Sequence, residues 1–306
     1  MQRDEPPHSR SVEQRLCPIS RTTGLHPDVI VSFMTDANVI AICASRGLNI
    51  PTIVSERNQP DRPELGSLQK FGSRLFYPRS SALVVQTEDL AARARRAFKV
   101  RVSVIQNPLP LEHWRGAGEI EAGSRADHEI VAAGRLVPQK GFDILIESFS
   151  RISSHYPDWK LTVYGEGPQR PELEFLVSKH GLQDRVRLPG VMKDLRPVFC
   201  RASLFVLPSR FEGYPNVLLE ALACGCPVIA TDCPGACAEI LAQGRYGTLV
   251  PSESAECLAA AMKEMLENYR RRATYSARAE EALEGLDLES IANKWIKIFT
   301  ETKSSQ

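Results

Sequence analysis

Residues 208–232 read PSRFEGYPNVLLEALACGCPVIATD. The stretch opens where an apolar run, Leu204-Phe205-Val206-Leu207, has the composition of a buried parallel strand. It closes on a second such run, Pro227-Val228-Ile229-Ala230. Between them Val217, Leu218, Ala221 and Leu222 recur at helical spacing. The stretch is therefore a strand–loop–helix–strand unit. Parallel α/β sheets bind their ligands in the loops at the carboxyl ends of such strands.

Two glutamates carry the chemistry of this unit. Asn216 is a favoured N-cap residue. With the helix starting there, Glu212 lies in the loop at the helix mouth and Glu220 about one turn inside, roughly 6 Å further along the axis. The unpaired N–H groups of a first turn favour an anion such as phosphate. Carboxylates cannot share phosphate oxygens without repulsion, so the glutamates suit hydroxyls on either side of the phosphate. A ligand with hydroxyls on both sides of a diphosphate is a nucleotide sugar. A bare pair of glutamates at this spacing is more often one solvated helix residue and one loop residue. The surrounding residues set this pair apart.

The composite Glu212-Gly213-x-Pro215-Asn216-x3-Glu220-Ala221-x-Ala223-x-Gly225-x-Pro227-Val228 resembles the retaining glycosyltransferases of family 4. That family has the GT-B fold, two Rossmann-like parallel-sheet α/β domains facing a cleft. The resemblance implies that Glu212 contacts the donor sugar and Glu220 the ribose hydroxyls. Gly213, Tyr214, Pro215, Asn216 and Val217 then border the donor, with backbone N–H groups toward its phosphates.

Upstream, Glu129-Ile130-Val131-Ala132-Ala133 reads as a strand and Phe142 opens a helix. Between them lies Gly134-Arg135-Leu136-Val137-Pro138-Gln139-Lys140-Gly141, a strand-to-helix turn where anions bind. Arginine chelates phosphate with parallel N–H bonds and lysine adds a compact charge. Surface cations beside a turn are the ordinary reading of one such spacing, but GRLVPQKG resembles the phosphate-binding turn of the family. Arg135 and Lys140 are thereby expected to neutralise a diphosphate leaving group. The sequence contains no Asp-x-Asp, so a metal-independent reaction is expected and no metal site is assigned. Gly165-Glu166-Gly167-Pro168 follows the next strand. It lacks the third glycine of a dinucleotide fingerprint in register, and reads as a tight turn. The resemblance puts Gly165 and Gly167 at the nucleotide pocket and the base against backbone near Val191 and Met192. Side chains there leave uracil, guanine and adenine open. Relatives often have two glycines where this chain has Gly235-Ala236.

Before residue 113 the strands alternate with helices: residues 28–33, 52–55, 82–85 and 102–105, with helices predicted over 37–46, 66–77 and 88–98. This pattern implies a right-handed parallel layer. HPDVIVSF, IVSERN, ALVVQTEDL and VSVIQNPLP resemble strands of the family's amino-terminal, acceptor-side domain, and SERN and VVQTE are closest to bacterial enzymes that build polysaccharides or lipid-linked glycans. Many relatives have a histidine near the donor sugar where Glu56, Arg57 and Asn58 stand here. The expected organisation is a loose tail over 1–27 (with one short helix near Val12–Leu16), a shortened acceptor-side domain over 28–112, a linker over 113–128 and a donor-binding domain over 129–289. A last helix over 290–300 is expected to cross back, packing through Ile291, Trp295 and Ile298. The family usually has further strand–helix units before the equivalent of Asp28, so the amino domain reads as truncated.

The chain has 306 residues with 38 basic and 37 acidic side chains. This balance gives no signature of nucleic-acid binding. No apolar run reaches the roughly 18 residues of a membrane helix, and the first thirty residues lack the apolar core of a signal peptide. A cytoplasmic location is expected, at most peripheral at the cytoplasmic face of the inner membrane. Arg93, Arg95, Arg96, Lys99 and Arg101 cluster in sequence. A solvated helix face is the favoured reading, and contact with an anionic membrane surface or a pyrophosphate-linked acceptor the alternative. Cys224, Cys226, Cys233 and Cys237 lack the paired spacing of zinc knuckles and read as small buried residues.

The expected partners are a nucleotide-sugar donor, used as substrate rather than cofactor, and a glycan or lipid-linked acceptor. The expected activity is glycosyl transfer from a UDP-sugar with retention. Two alternatives stay open: a nucleotide-sugar epimerase of the same fold, and a non-catalytic nucleotide-sugar-binding or scaffold relative.

Overall fold

A computed structural model describes residues 27–57, 67–115 and 128–304. In chain order the elements are β1 (Ile30–Phe33), α1 (Thr35–Ala44), β2 (Thr52–Ser55), α2 (Ser67–Phe76), β3 (Ala82–Val85), α3 (Glu88–Ala97) and β4 (Val102–Val104). Next come α4 (Leu111–Arg115), β5 (Glu129–Ala133), α5 (Phe142–Ser153), β6 (Lys160–Tyr164), α6 (Arg170–Lys179), β7 (Val186–Gly190), α7 (Arg196–Arg201) and β8 (Leu204–Leu207). The chain continues through α8 (Asn216–Ala223), β9 (Val228–Asp232), α9 (Cys237–Ile240), β10 (Thr248–Pro251), α10 (Ala255–Glu267), α11 (Tyr269–Arg278) and α12 (Leu288–Lys303). It forms two compact units, one built from residues up to Ile105 and from Ala292 onward, the other from Gln106–Ile291.

The first unit carries a parallel sheet in the order β1-β2-β3-β4. The central strands β2 and β3 are buried along their whole length. That is why their sequences, TIVS and ALVV, show no polar alternation. Val54, Leu83, Leu90, Tyr77 and Phe98 form the core of this unit. Helix α3 starts where Thr87 accepts a hydrogen bond from Leu90 N, at 3.1 Å. Glu88 and Asp89 in its first turn and Arg95 and Arg96 in its last complement the helix dipole. The later residues of α12 belong to this unit, with Trp295 between Phe33 (5.9 Å) and Phe299 (5.8 Å).

The basic run after Glu88 is mostly neutralised. Arg93 pairs with Asp89 at 2.8 Å, Arg95 lies 3.7 Å from Glu88, and Arg101 pairs with Glu301. These pairings support the solvated-face reading over a lipid-binding one.

The second unit carries six parallel strands in the order β10-β9-β8-β5-β6-β7. Strand order reverses between β5 and β8, so the loops after these two strands flank the switch point where open α/β sheets bind ligands. The core combines Ile130, Leu161, Leu204 and Ile229 from the sheet with Leu145 and Phe149 of α5 and Met262 of α10. Helix α8 buries Leu218, Leu219, Ala221 and Leu222. Leu219 joins the predicted set because α8 is packed on more than one side. Cys224, Cys226, Cys233 and Cys237 are all buried.

Three sequence expectations are revised. The chain passes into the second unit after Ile105, and residues 113–115 of the expected linker lie within α4, with the Trp114 ring 6.4 Å from that of Phe199. Helix α12 begins earlier and ends later than expected, and Ile291 belongs to the second unit, not the first. Asn216 is the first residue inside α8 rather than its cap. Pro215 occupies the cap position in extended conformation, with no side-chain cap bond. The Asn216 amide oxygen instead accepts from Asn107 Nδ2 at 2.7 Å. The expected helix near Val12–Leu16, Asn58 and residues 116–127 lie outside the described residues. Among the described residues, no helix is long and apolar enough to cross a membrane.

Gly141 fixes how closely the β5 and β8 loops approach. Its φ is +65°, and a Cβ there would stand 2.1 Å from the Pro208 carbonyl oxygen. We expect Gly141→Ala to destabilise the chain by about 2 kcal/mol or more, seen as a lower urea midpoint at unchanged slope.

Candidate functional site

Four loops at the carboxyl ends of β5, β6, β8 and β9 build the site. The loop after β5 is joined to that after β6 by backbone bonds that prolong the sheet. Gly134 N donates to Tyr164 O at 2.9 Å, and Leu136 N to Glu166 O at 2.9 Å. Gly165 N in turn donates to Gly190 O at 2.8 Å. The turns around Gly134, Gly165 and Gly190 are thereby held as one surface.

A second seam joins the loop after β5 to the loop after β8, across the switch point. Arg210 N donates to Gln139 O at 2.8 Å, and Gln139 Nε2 donates to Phe211 O at 3.0 Å. The Arg210 guanidinium makes two parallel bonds to Asp143, at 2.9 and 2.7 Å, and a third to Pro138 O at 2.6 Å. Burial opposes the ionised Asp143 carboxyl, but the Arg210 bonds and charge outweigh it and hold this group below the usual carboxylate range.

Lys140 and Glu212 close the seam. Lys140 Nζ lies 2.6 Å from Glu212 Oε1, with side chains only 14% and 6% exposed. Ser209 Oγ donates to the same oxygen at 2.6 Å. The loop after β9 backs this arrangement. Glu212 N donates to Pro234 O at 3.0 Å, and Ala236 N to Gly213 O at 3.1 Å. Gly235 has φ +141°, and a Cβ there would meet Glu212 O at 2.1 Å. Glycine is therefore required at 235. Ala236 has an ordinary φ of −92°, so its methyl is tolerated.

The remaining predicted residues divide between two places. Gly134, Arg135, Gly165, Val191 and Met192 line a pocket of about 260 Å³, together with Tyr164, Glu166 and Leu195. Val191 is 72% exposed and Met192 43%, an apolar rim beside backbone. Arg135 is exposed and makes no ion pair among the described residues. Glu166 lines this pocket too, but its carboxylate is held by Arg170 at 2.9 and 2.6 Å. Gly167 stands behind the pocket, where a Cβ would meet Leu136 O at 2.3 Å. Tyr214 faces away, into a cavity of about 180 Å³ lined also by Gln106, Glu239 and Tyr246. Burial, then the nearby Glu239, push its phenol up.

At the mouth of α8, Pro215 is buried and Val217 half-buried, and Asn216 is exposed. Glu220 is half-buried, and its carboxylate has no hydrogen-bond partner among the described residues. Burial pushes its pKa up from the ordinary value of 4.5. The two glutamates thus differ. Glu212 is paired and buried, while Glu220 is desolvated and unpaired.

In the first unit, Glu56 follows β2. It is buried and accepts from Thr35 Oγ1 at 2.8 Å, Tyr77 OH at 2.6 Å and Arg57 N at 3.1 Å. Burial, then Glu56, push the Tyr77 phenol up. Sequence reasoning also missed Ser209, Arg210, Asp143 and Tyr164. Ser209 and Arg210 sit three and two residues before Glu212 in the quoted stretch, but nothing in their spacing pairs Arg210 with Asp143.

Two outcomes follow from this geometry. Lys140→Met should cost about 3 kcal/mol by leaving Glu212 buried without its cation, and Lys140→Met with Glu212→Gln should recover much of it. A urea-based double-mutant cycle measures the coupling. Glu220 has its folded-state pKa raised, so its contribution favours the fold below the unfolded value and is lost as pH rises through the folded one. Glu220→Gln should therefore raise the unfolding midpoint of ligand-free protein at pH 7, with the gain shrinking as pH falls toward 4.5.

The profile of the family described as "Glycosyl transferases group 1" matches residues 127–268. An exopolysaccharide phosphotransferase of Streptomyces coelicolor is 34% identical over 231 residues, covering 74% of this chain but 24% of that protein. The N-acetylgalactosamine-N,N'-diacetylbacillosaminyl-diphospho-undecaprenol 4-alpha-N-acetylgalactosaminyltransferase of Campylobacter jejuni is 28% identical over 294 residues, covering 93% of this chain and 78% of that protein. Among solved structures, Anabaena HepE in complex with UDP superposes with a TM-score of 0.79 at 20% identity, over 89% of this chain and 79% of that one. These likenesses extend over both parallel-sheet units, and the profile match covers the strands and loops that build the site. Residues 127–268 belong to the glycosyl transferases group 1 family, and the chain has the GT-B fold.

Proposed function

We propose that this chain transfers a sugar from a UDP-sugar to a glycan or lipid-linked acceptor, with retention of configuration, in the biosynthesis of polysaccharides or glycoconjugates. The observation that carries the proposal is the Lys140–Glu212 pair at the switch point, next to a pocket rimmed by Val191 and Met192. Support for the nucleotide comes from HepE, whose structures hold UDP and UDP-glucose. Support for the acceptor class comes from the Campylobacter relative, named for a diphospho-undecaprenol substrate. Retention rests on the resemblance to family 4.

Each residue has a stated task. The base lies against the Gly165 backbone and the apolar rim of Val191 and Met192. Glu220, unpaired at the helix mouth, accepts hydrogen bonds from the ribose hydroxyls. Bonding to a ligand offsets the desolvation that this carboxylate bears in the free protein. Arg135 reaches the diphosphate from the pocket edge, and the first-turn N–H groups of α8 face it. Glu212 orients the sugar through its hydroxyls while holding Lys140 beside the leaving group. As the bond from the anomeric carbon to the diphosphate breaks, negative charge grows on the departing phosphate. Arg135 and Lys140 stabilise that charge from fixed positions, without a divalent ion. The acceptor oxygen then bonds to the anomeric carbon, and its proton passes to the departing diphosphate oxygen.

Isothermal titration with UDP, GDP and ADP in the presence of a chelator tests the donor reading. UDP should bind, and Arg135→Ala should weaken it about tenfold or more. Lys140→Ala should cut transfer from the matching UDP-sugar about 100-fold while UDP still binds. An active Lys140→Ala enzyme would remove the leaving-group role. Failure of all three nucleotides to bind folded protein would remove the donor site.

A further inference from the structure

Two thiols meet in the turn that backs Glu212. Cys233 follows β9 and Cys237 opens α9, with only Pro234, Gly235 and Ala236 between them. Cys233 keeps 4% of its surface exposed and Cys237 none. The Cys237 thiol donates a hydrogen bond to the Cys233 sulfur, and the Thr231 hydroxyl lies beside that sulfur as well. Cys226, by contrast, directs its thiol at the carbonyl oxygens of Ala202 and Pro227, at 3.7 and 3.6 Å. The bond from Cys237 holds the Cys233 thiol below its ordinary range, while that bond and burial push the Cys237 thiol up. The three residues between the cysteines bear directly on the site. Pro234 O accepts from Glu212 N at 3.0 Å, Ala236 N donates to Gly213 O at 3.1 Å, and Gly235 packs against the Glu212 carbonyl.

We propose that Cys233 and Cys237 form an oxidative modification site, which a peroxide converts to a disulfide that pulls the intervening turn off the Glu212 backbone. Buried thiols are ordinarily inert. This pair differs because one sulfur has thiolate character and a slight opening to solvent, while its partner is already in contact with it. The Cys233 thiolate attacks one peroxide oxygen. An S–O bond forms, the O–O bond breaks, and the second oxygen leaves as hydroxide and takes up a proton. Cys237 then attacks the Cys233 sulfur. The S–S bond forms, the S–O bond breaks, and the departing hydroxide becomes water with the Cys237 proton. Two thiols and one peroxide thus give one disulfide and two waters. A disulfide holds its sulfurs far closer than a hydrogen bond does. Residues 233 and 237 must approach, and Pro234 and Gly235 move with them, away from the backbone that sets the Lys140–Glu212 pair. Both the bond and the displacement stand apart from the function proposed above.

Treating the reduced chain with hydrogen peroxide, blocking free thiols and mapping peptides by mass spectrometry tests the bond. Wild type should show a Cys233–Cys237 link that dithiothreitol removes. Cys237→Ser should instead take up oxygen at Cys233, because no second thiol is left to resolve it. Cys233→Ser should keep Cys237 as a free thiol. Amide hydrogen exchange tests the displacement. In oxidised wild type the Glu212 and Ala236 amides, which lose their partners, should exchange about tenfold faster or more, and dithiothreitol should restore their protection. Peroxide should leave exchange at both amides unchanged in Cys233→Ser. Cys257→Ser, which removes an exposed thiol, should behave as wild type does. The proposal is overturned if peroxide yields no link between 233 and 237, if the link forms without faster exchange, or if Cys233→Ser responds as wild type does. UDP titration of the reduced chain reports on the donor site separately, and its failure would leave the peptide map and the exchange result standing.

Discussion

The site depends on the seam that joins the loops after β5 and β8. In a sheet ordered β10-β9-β8-β5-β6-β7, these are neighbouring strands whose helices leave toward opposite faces, so their loops would otherwise splay apart. The Arg210–Asp143 bonds and the Lys140–Glu212 pair draw them together. Energetics decide how to read this seam. Removing one member of a buried ion pair is costly, but replacing both with well-packed apolar residues is often neutral or stabilising. Net folding stability is therefore a weak reason for a lysine and a glutamate at these positions. Their value lies in holding a cation and a carboxylate at a fixed separation before a ligand arrives.

Neighbouring features follow from that constraint. Gly141 lets the loop after β5 pass against Pro208, and Gly235 lets the loop after β9 press on the Glu212 backbone. Both positions exclude a side chain because another backbone already fills the space. The bonds from Gly134 to Tyr164 and from Gly165 to Gly190 extend the same rigidity to the pocket side. Side chains expected to meet a donor are thus presented by backbone held from several directions, so little ordering remains to be done on binding.

Much of this was legible in the sequence because it has local signatures. The quoted stretch gave strand, loop and helix from its apolar spacing, and GRLVPQKG and GEGP marked turns at strand ends. What the sequence could not show were pairings between distant residues. Lys140 and Glu212 were both assigned to the donor, but nothing local says that they bind each other across 72 positions. Arg210 and Asp143 were missed for the same reason. The Asn216 cap failed because a favoured residue type met a competing partner, Asn107, brought by the fold. The basic run from Arg93 to Arg101 looked like one patch, until its acidic partners on the same helix and on α12 were placed beside it.

The two glutamates that first drew attention show why position alone does not assign a role. Glu212 lies in the loop before α8 and Glu220 one turn inside it, and their surroundings differ in kind. Glu212 already has a cation and a hydroxyl, which hold its carboxylate in place. Glu220 has neither, and burial works against its charge. A carboxylate left in that condition weakens the free protein unless something else requires it. A diol placed against it would supply the missing donors, which makes the unfavourable state of the empty protein a source of affinity in the filled one. The asymmetry therefore matches a ligand that meets Glu212 with its transferred part and Glu220 with the part that stays behind.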